Sequence, residues 1–250
     1  MQAAYNMFFM RHEQKYLLKN GEDTALWELI EPYFTADGYG QSTVCNLYYD
    51  TDNYDLIRAS IEHPVYKEKL RLRSYNIPGG DTNVFLEIKK KYKGVVYKRR
   101  VFLPLEEAIK CLEQRHIEPI EGQEQICAEI NYFLQHYQLS PAVFLAYDRD
   151  AFYATDNPDL RITFDRNLRS RNDQLSLAEG DAGNTFFEND EVLMEIKTTG
   201  AYPFWLIHAL EECSIRPVSF SKYGNIYKQY LLPDFIKKLS ANKEGEINYV

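Results

Sequence analysis

The sequence predicts an α+β fold: an antiparallel sheet of about eight strands, closed or nearly closed on itself, with helices packed outside. Three observations carry that expectation. The first is Tyr66–Tyr75, Y-K-E-K-L-R-L-R-S-Y, where Lys67, Lys69, Arg71 and Arg73 sit two apart and Leu70 and Leu72 fall between them. Strand side chains alternate between faces, so the four cations share one face and the leucines take the other. The second is that about eight strand-like runs follow one another through hairpin turns or short helices. The third is the lack of a fixed-period repeat or a composition break. Residues 1–250 therefore read as one domain, with a core of about 8–232 and a polar tail, about 239–250, expected to fray.

Taken in order, Phe8–Leu18 reads as a strand with Arg11, Glu13 and Lys15 on one face. Asn20–Phe34 reads as a helix with Leu26, Leu29 and Ile30 as its apolar stripe. Ser42–Tyr49 is β-rich, Asp50–Asn53 turns, and Tyr54–Ala59 is a short helix before the cationic strand. Ile77–Asp81 (I-P-G-G-D) is a turn. Val84–Lys91 then puts Phe85, Glu87, Lys89 and Lys91 on one face. The tight Lys93-Gly94 connection predicts a hairpin to Val95–Leu103, where Lys98 and Arg100 share a face with Val96 and Phe102. Leu105–Gln114 and Gly122–Tyr137 read as helices, and Ala142–Tyr153 as a strand carrying Arg149. Leu160–Asp165 is a strand with Arg161, Thr163 and Asp165 on one face. Arg166–Asp190 is polar and reads as a long mobile loop. Glu191–Thr198 is the last strand, with Glu195 and Lys197 together. The helix Pro203–Cys213, the loop Pro217–Gly224 and a terminal helix Asn225–Leu232 complete the chain.

Composition narrows the function. The chain is 45% hydrophobic and has 20 Tyr, enough for a substantial core. Its net charge of −8 disfavours a general nucleic-acid surface, though an acidic protein can still gather cations in one enclosed place. Cys45, Cys111, Cys127 and Cys213 show no metal spacing and read as reduced cysteines of a cytoplasmic protein. The five histidines, His12, His63, His116, His136 and His208, are scattered, which argues against a zinc site. No apolar run approaches the ~20 residues of a membrane span, and no signal peptide is legible.

Pooling the strand faces brings the cations together. Arg11, Lys15, Lys67, Lys69, Arg71, Arg73, Lys89, Lys91, Lys98, Arg100, Arg149, Arg161 and Lys197 all fall on the prospective inner face. Glu13, Glu87, Glu195 and Asp165 sit among them. Two unit charges ~7 Å apart repel by about 2 kcal/mol at an effective dielectric of ~20. A purely structural ion-pair network would tend to balance its charges, since each unpaired buried ion costs several kcal/mol. The excess of cations points to a polyanion, and Arg forks with Lys point charges suit phosphate. Carboxylates beside phosphate imply a divalent cation, so Glu13, Glu87 and Glu195 are candidate ligands for Mn²⁺ or Mg²⁺. A G-x-x-x-x-G-K-[ST] loop is absent, which excludes a P-loop mode of holding nucleotide.

Eight stretches in order then carry a family resemblance. They are Ser42–Leu56, Leu70–Tyr75 (L-R-L-R-S-Y), Val84–Lys89 (V-F-L-E-I-K), Tyr97–Val101 (Y-K-R-R-V), Tyr147–Phe152 (Y-D-R-D-A-F), Leu160–Asp165 (L-R-I-T-F-D), Leu193–Lys197 (L-M-E-I-K) and Phe220–Tyr223 (F-S-K-Y). Together they resemble the polyphosphate-polymerase domain of the vacuolar transporter chaperone (VTC) complex, a triphosphate tunnel metalloenzyme, over roughly residues 8 to 232. The resemblance implies an eight-stranded closed tunnel using Mn²⁺ or Mg²⁺ that makes inorganic polyphosphate from ATP. It implies that Arg71, Arg73, Lys89, Lys98, Arg100, Arg149 and Arg161 bind phosphates, that Glu195 holds the metal, and that Lys222 sits by the nucleotide phosphates. Arg11, Lys15, Lys69 and Lys197 join the phosphate-binding set from the pooled faces. The catalytic group is expected to be Lys222, Arg71, Arg73 and Glu195.

One departure stands out. The wider superfamily often opens with E-x-E-x-K, whereas this strand reads Arg11-His12-Glu13-Gln14-Lys15. That fits the VTC branch and weakens Glu13 as a ligand. The chain carries no membrane segment, so coupling synthesis to translocation would need a membrane partner protein. Two other activities suit the same residues: a metal-dependent triphosphatase or polyphosphatase, and a non-catalytic polyphosphate-binding module.

Overall fold

The computed structural model describes residues 12–247 apart from 39, 63, 94, 188 and 189. Arg11, His63 and the expected start of the first strand at residues 8–11 therefore lie outside the described residues. The strands are β1 (His12–Leu18), β2 (Phe34–Ala36), β3 (Ser42–Asp50), β4 (Tyr66–Tyr75), β5 (Asn83–Tyr92), β6 (Val95–Pro104), β7 (Ser140–Ala154), β8 (Asn157–Arg171), β9 (Asn184–Thr185) and β10 (Val192–Thr198). The helices are α1 (Glu22–Ile30), α2 (Asp55–Ile61), α3 (Leu105–Gln114), α4 (Glu124–His136), α5 (Phe204–Glu212), α6 (Lys222–Ile226) and α7 (Leu232–Ile247).

Eight strands form one antiparallel sheet in the order β1-β10-β8-β7-β3-β4-β5-β6, and the short β2 and β9 flank it. The sheet curls into a half-barrel with helices outside, the α+β architecture expected. The ladders carry register shifts between Tyr48 and Tyr49 on β3 and between Ala146 and Asp148 on β7, irregularities of the kind that increase local twist. The ladder runs as an open path, and β1 and β6 are its two ends.

Alternation drives the layering. Leu70 and Leu72 of β4, Leu86 and Ile88 of β5, and Val101 and Leu103 of β6 pack outward against Ala108 and Leu112 of α3 and Ile130 and Phe133 of α4. On the other half, Met194 and Ile196 of β10 and Ile162 and Phe164 of β8 pack against Leu26 and Ile30 of α1 and Leu206 of α5. Each such side chain contributes about 1.5–3 kcal/mol when fully buried. The intervening residues are thereby forced onto the concave face, where the cations stand.

That face is not empty of apolar groups. Tyr223 and Ile226 of α6, with Tyr227 and Leu231 of the following π-helical turn, pack against Tyr48, Val143, Leu145, Tyr147 and Leu193. The α6 segment thus lies against the inner surface of the sheet. Asp50 fastens it: its carboxylate accepts from the Leu56 and Ile57 amides at the start of α2 (2.9 and 3.0 Å) and from the Tyr223 hydroxyl (2.9 Å). The four cysteines are unbridged.

Three sequence expectations are corrected. The helix read over Asn20–Phe34 ends at Ile30, and after a 3₁₀ turn through Tyr33 Phe34 enters β2. The segment Arg166–Asp190 begins as strand, because β8 continues to Arg171 by pairing with β7 as far as Phe144. The terminal helix starts earlier, at Lys222, and helical structure runs on to Ile247.

Residues 172–183 of that polar segment are pinned by Arg171. Its guanidinium donates to the carbonyls of Gln174, Ser176, Gly180 and Ala182 at 2.7–3.1 Å and lies 3.6 Å from the Phe144 ring. Close approach at Gly183 completes the fold-back, since a Cβ there would come 2.7 Å from the Ser170 carbonyl oxygen. Arg171→Lys keeps one charge and loses the fork. We expect cleavage within 172–183 to rise about thirtyfold in limited proteolysis, from ~2 kcal/mol of lost hydrogen bonding. An unchanged cleavage rate would show that the loop is ordered by something else.

Candidate phosphate-binding tunnel

The ladders align the inward side chains in rungs. Arg71 pairs with Glu87 and Glu87 with Arg100; Lys69 pairs with Lys89 and Lys89 with Lys98. On the opposite half, Lys15 pairs with Glu195 and Glu195 with Thr163, while Glu13 pairs with Lys197 and Lys197 with Arg161. Two charged clusters result.

The first is centred on Glu87, which is 1% exposed. Its Oε2 receives Arg71 Nε at 2.8 Å and its Oε1 meets Lys98 Nζ at 2.5 Å. Arg73 stands 4.0 Å away and is held by the Asn46 side-chain oxygen Oδ1 (2.8 Å) and the Tyr147 hydroxyl (3.2 Å). Burial would raise the Glu87 carboxyl, but Arg71, Arg73 and Lys98 outweigh it and hold Glu87 far below the usual carboxylate range. Arg71 also donates to the Tyr48 hydroxyl at 3.0 Å. Burial alone would raise that phenol, yet Arg71, Lys69 and Arg73 bring it down to about 8.

The second cluster joins Asp165, Glu195 and Lys222. Lys222 Nζ lies 2.5 Å from Asp165 Oδ2 and 3.0 Å from Glu195 Oε1. Arg149 makes a two-pronged contact to Asp165 at 2.6 and 2.7 Å. Lys197 is 3.1 Å from Glu195, and Lys15 is 3.7 Å from Glu195 and 3.4 Å from Glu13. Burial works against both Asp165 and Glu195, but Lys222 foremost keeps each below its ordinary value. Lys222 is itself raised, because its two carboxylates overcome burial.

Local structure delivers Lys222 to this place. Val218 N donates to Lys15 O at 2.7 Å and Lys15 Nζ to Phe220 O at 3.0 Å, so β1 holds the approach to α6. Ser221 caps α6 by accepting from Gly224 N. Lys69 Nζ reaches Ser221 Oγ at 3.4 Å, linking the two halves. Burial pushes Lys69 down to about 8, reinforced by Lys89, Lys67 and Lys15 and opposed by Tyr48. Lys98 is likewise pushed down to about 8 by burial, against the pull of Glu87.

The comparisons with known proteins can be set beside this geometry. A family model described as the VTC domain matches residues 10–231. The chain belongs to the VTC-domain family. Among solved structures, an adenylate cyclase candidate from Bacillus halodurans is similar at a TM-score of 0.52 and 16% identity, over 87% of this chain and 96% of that one. A second, from Vibrio parahaemolyticus, aligns at 0.47 and 11% identity over 87% and 97%. No curated protein matches the sequence. The first structural likeness is one of fold.

Within this VTC domain the candidate residues divide. Arg71, Arg73, Lys98 and Glu87 form the first cluster, and Lys15, Arg149, Lys197, Glu195, Glu13 and Lys222 the second. Lys69 stands between them. Lys89 shares the rung of Lys69 and Lys98, and Arg100 that of Arg71 and Glu87. Arg161 is bound to Asp37. Sequence reasoning missed Asn46, Tyr48 and Tyr147, which orient Arg71 and Arg73. The signal was available: Asn46 and Tyr48 alternate with Leu47, and Tyr147 stands two before Arg149.

The donor set can be tested against a divalent ion. Mg²⁺ usually takes one or two carboxylates and completes its shell with phosphate oxygens and water. Glu13 and Glu195 share Lys15 and Lys197 as neighbours on one wall and fit that description. Glu87 stands in the other cluster, among Arg71, Arg73 and Lys98. Among the described residues no group of three His, Cys, Asp or Glu side chains could hold an ion unaided. No helix there is long and apolar enough to cross a membrane.

Proposed function

We propose that this VTC-domain protein transfers the γ-phosphoryl group of ATP to the end of a growing polyphosphate chain. The observation that carries the reading is the convergence of two cationic clusters, joined through Lys69 and Ser221, on one concave face. A terminal phosphate oxygen of the chain attacks the γ-phosphorus. The bond from γ-phosphorus to the bridging oxygen breaks, and ADP leaves carrying the charge.

Arg71, Arg73, Lys98 and Arg100 grip the phosphates from one side, with Arg71 and Arg73 already aimed by Tyr48, Asn46 and Tyr147. Lys15, Lys197, Arg149 and Lys222 face them from the other and spread the charge that develops on the equatorial oxygens. Glu195 and Glu13 would hold Mn²⁺ or Mg²⁺, which neutralises phosphate charge when bound.

Incubating the protein with ATP and Mn²⁺ and following chain length, ADP and free phosphate tests the proposal. Polyphosphate and ADP should appear together. Free phosphate without chains would instead identify a triphosphatase, and binding without turnover a polyphosphate-binding module.

A further inference from the structure

The concave face carries charge along most of the β4–β5–β6 rungs, but one rung is aromatic. Arg73 pairs with Phe85 and Phe85 with Phe102, one same-face step beyond the rung of Arg71, Glu87 and Arg100. Phe85 and Phe102 lie 4.8 Å apart between ring centres, tilted by 35°. Tyr75 meets Phe85 edge-on at 6.1 Å, and the Arg100 guanidinium lies over Phe85 at 4.7 Å. Phe102 is 51% exposed. A half-exposed phenylalanine loses much of the benefit of burial. Beside a field of cations it offers a flat apolar surface with no partner role in the core.

We propose that Phe102 and Phe85, with the Arg100 guanidinium, seat the nucleobase of the nucleoside triphosphate. The proposal rests on the reading that the tunnel holds ATP phosphates, and it adds a subsite for the nonreacting end. A same-face step is roughly 7 Å, a span a ribose can bridge between base and first phosphate. With the first phosphate on Arg71, one rung away, the base reaches the aromatic rung. Aromatic faces and guanidinium planes stack any base, because every base has a π-face. The seat therefore recognises the presence of a base more than its identity, and ATP and GTP should bind alike.

The test compares ATP, GTP and inorganic tripolyphosphate by calorimetry on the full chain, in wild type, Phe102→Ala and Phe102→Trp. Phe102 is exposed enough that truncation leaves the core in place. Phe102→Ala should weaken both nucleotides about five- to fiftyfold and leave tripolyphosphate within about twofold. Phe102→Trp should restore or tighten nucleotide binding. If tripolyphosphate binds but Phe102→Ala changes neither nucleotide, or weakens all three equally, the seat is overturned and the tunnel reading stands. If wild type binds none of the three, both fall.

Discussion

Replacing Lys222 by Met should lower the stability of the folded protein by about 3 kcal/mol and, on the proposed function, abolish turnover. Removing one partner of a buried ion pair costs about 3–5 kcal/mol, and the low end applies because Arg149 stays on Asp165 and Lys197 on Glu195. Lys222 and Asp165 have side chains 9% and 0% exposed, so water cannot take the place of the ammonium. Urea denaturation of wild type and variant at pH 7 measures the effect. Adding Asp165→Asn also removes the two-pronged partner of Arg149 and should lower stability further, with turnover still lost. Equal denaturation midpoints for wild type and Lys222→Met would show that the cluster does not fasten α6.

The same cluster sets a pH window. Asp165 and Glu195 are depressed from ordinary values of 3.8 and 4.5, so their contribution is full above those values and fades as pH falls through the lower folded ones. Lys222 is raised from 10.5, so its contribution is full below that value and is lost as pH rises through the higher folded one. The stability difference between wild type and Lys222→Met should therefore be greatest between pH 4.5 and 10.5 and shrink on either side.

If the concave face holds ATP as proposed, binding should take up protons near pH 8. Lys69 and Lys98 both titrate at about 8 in the free protein, so each is roughly half charged there. A polyphosphate group beside them favours the ammonium form. Calorimetry in two buffers of different ionisation enthalpy should report uptake of about one proton per ATP at pH 8. Affinity should fall at least about tenfold from pH 7 to 9.5 as the lysines lose charge. The more enclosed Lys69 carries most of the effect, and Lys69→Arg should flatten the profile. An affinity unchanged to pH 9.5 would rule out both lysines as phosphate contacts. Stability of the free protein moves the other way. Between pH 8 and 10.5 the unfolded chain holds more protons than the folded one, so stability rises with pH as the burial penalty lifts.

The fold was legible where alternation was strict. Lys67–Arg73 against Leu70 and Leu72 gave strand, face and outer layer at once, because a period of two admits only one assignment. Legibility failed at Arg166–Arg171, where a polar sequence is strand because its backbone pairs with β7 and not because of its own pattern. Lys222 shows the same limit from another side. Its sequence surroundings, P-V-S-F-S-K-Y-G, look like a loop, and its burial arises from contacts with β1, β8 and β10 that no local pattern encodes. The cation set was readable from faces. Its division into two clusters was not, because that depends on which strands oppose one another across the curl.

Asp50 gives the arrangement an unexpected reach. One carboxylate ends a strand, starts α2 and anchors Tyr223, the neighbour of Lys222. It touches no cation of either cluster among its hydrogen-bonding partners, and burial pushes its carboxyl up. In a mutational survey scored by product alone, Asp50 would be grouped with the chemistry although its work is that of a joint. Distance along the chain from the reacting groups is thus a poor guide to tolerance here, and naturally occurring variation at position 50 should be weighed as heavily as variation at 222.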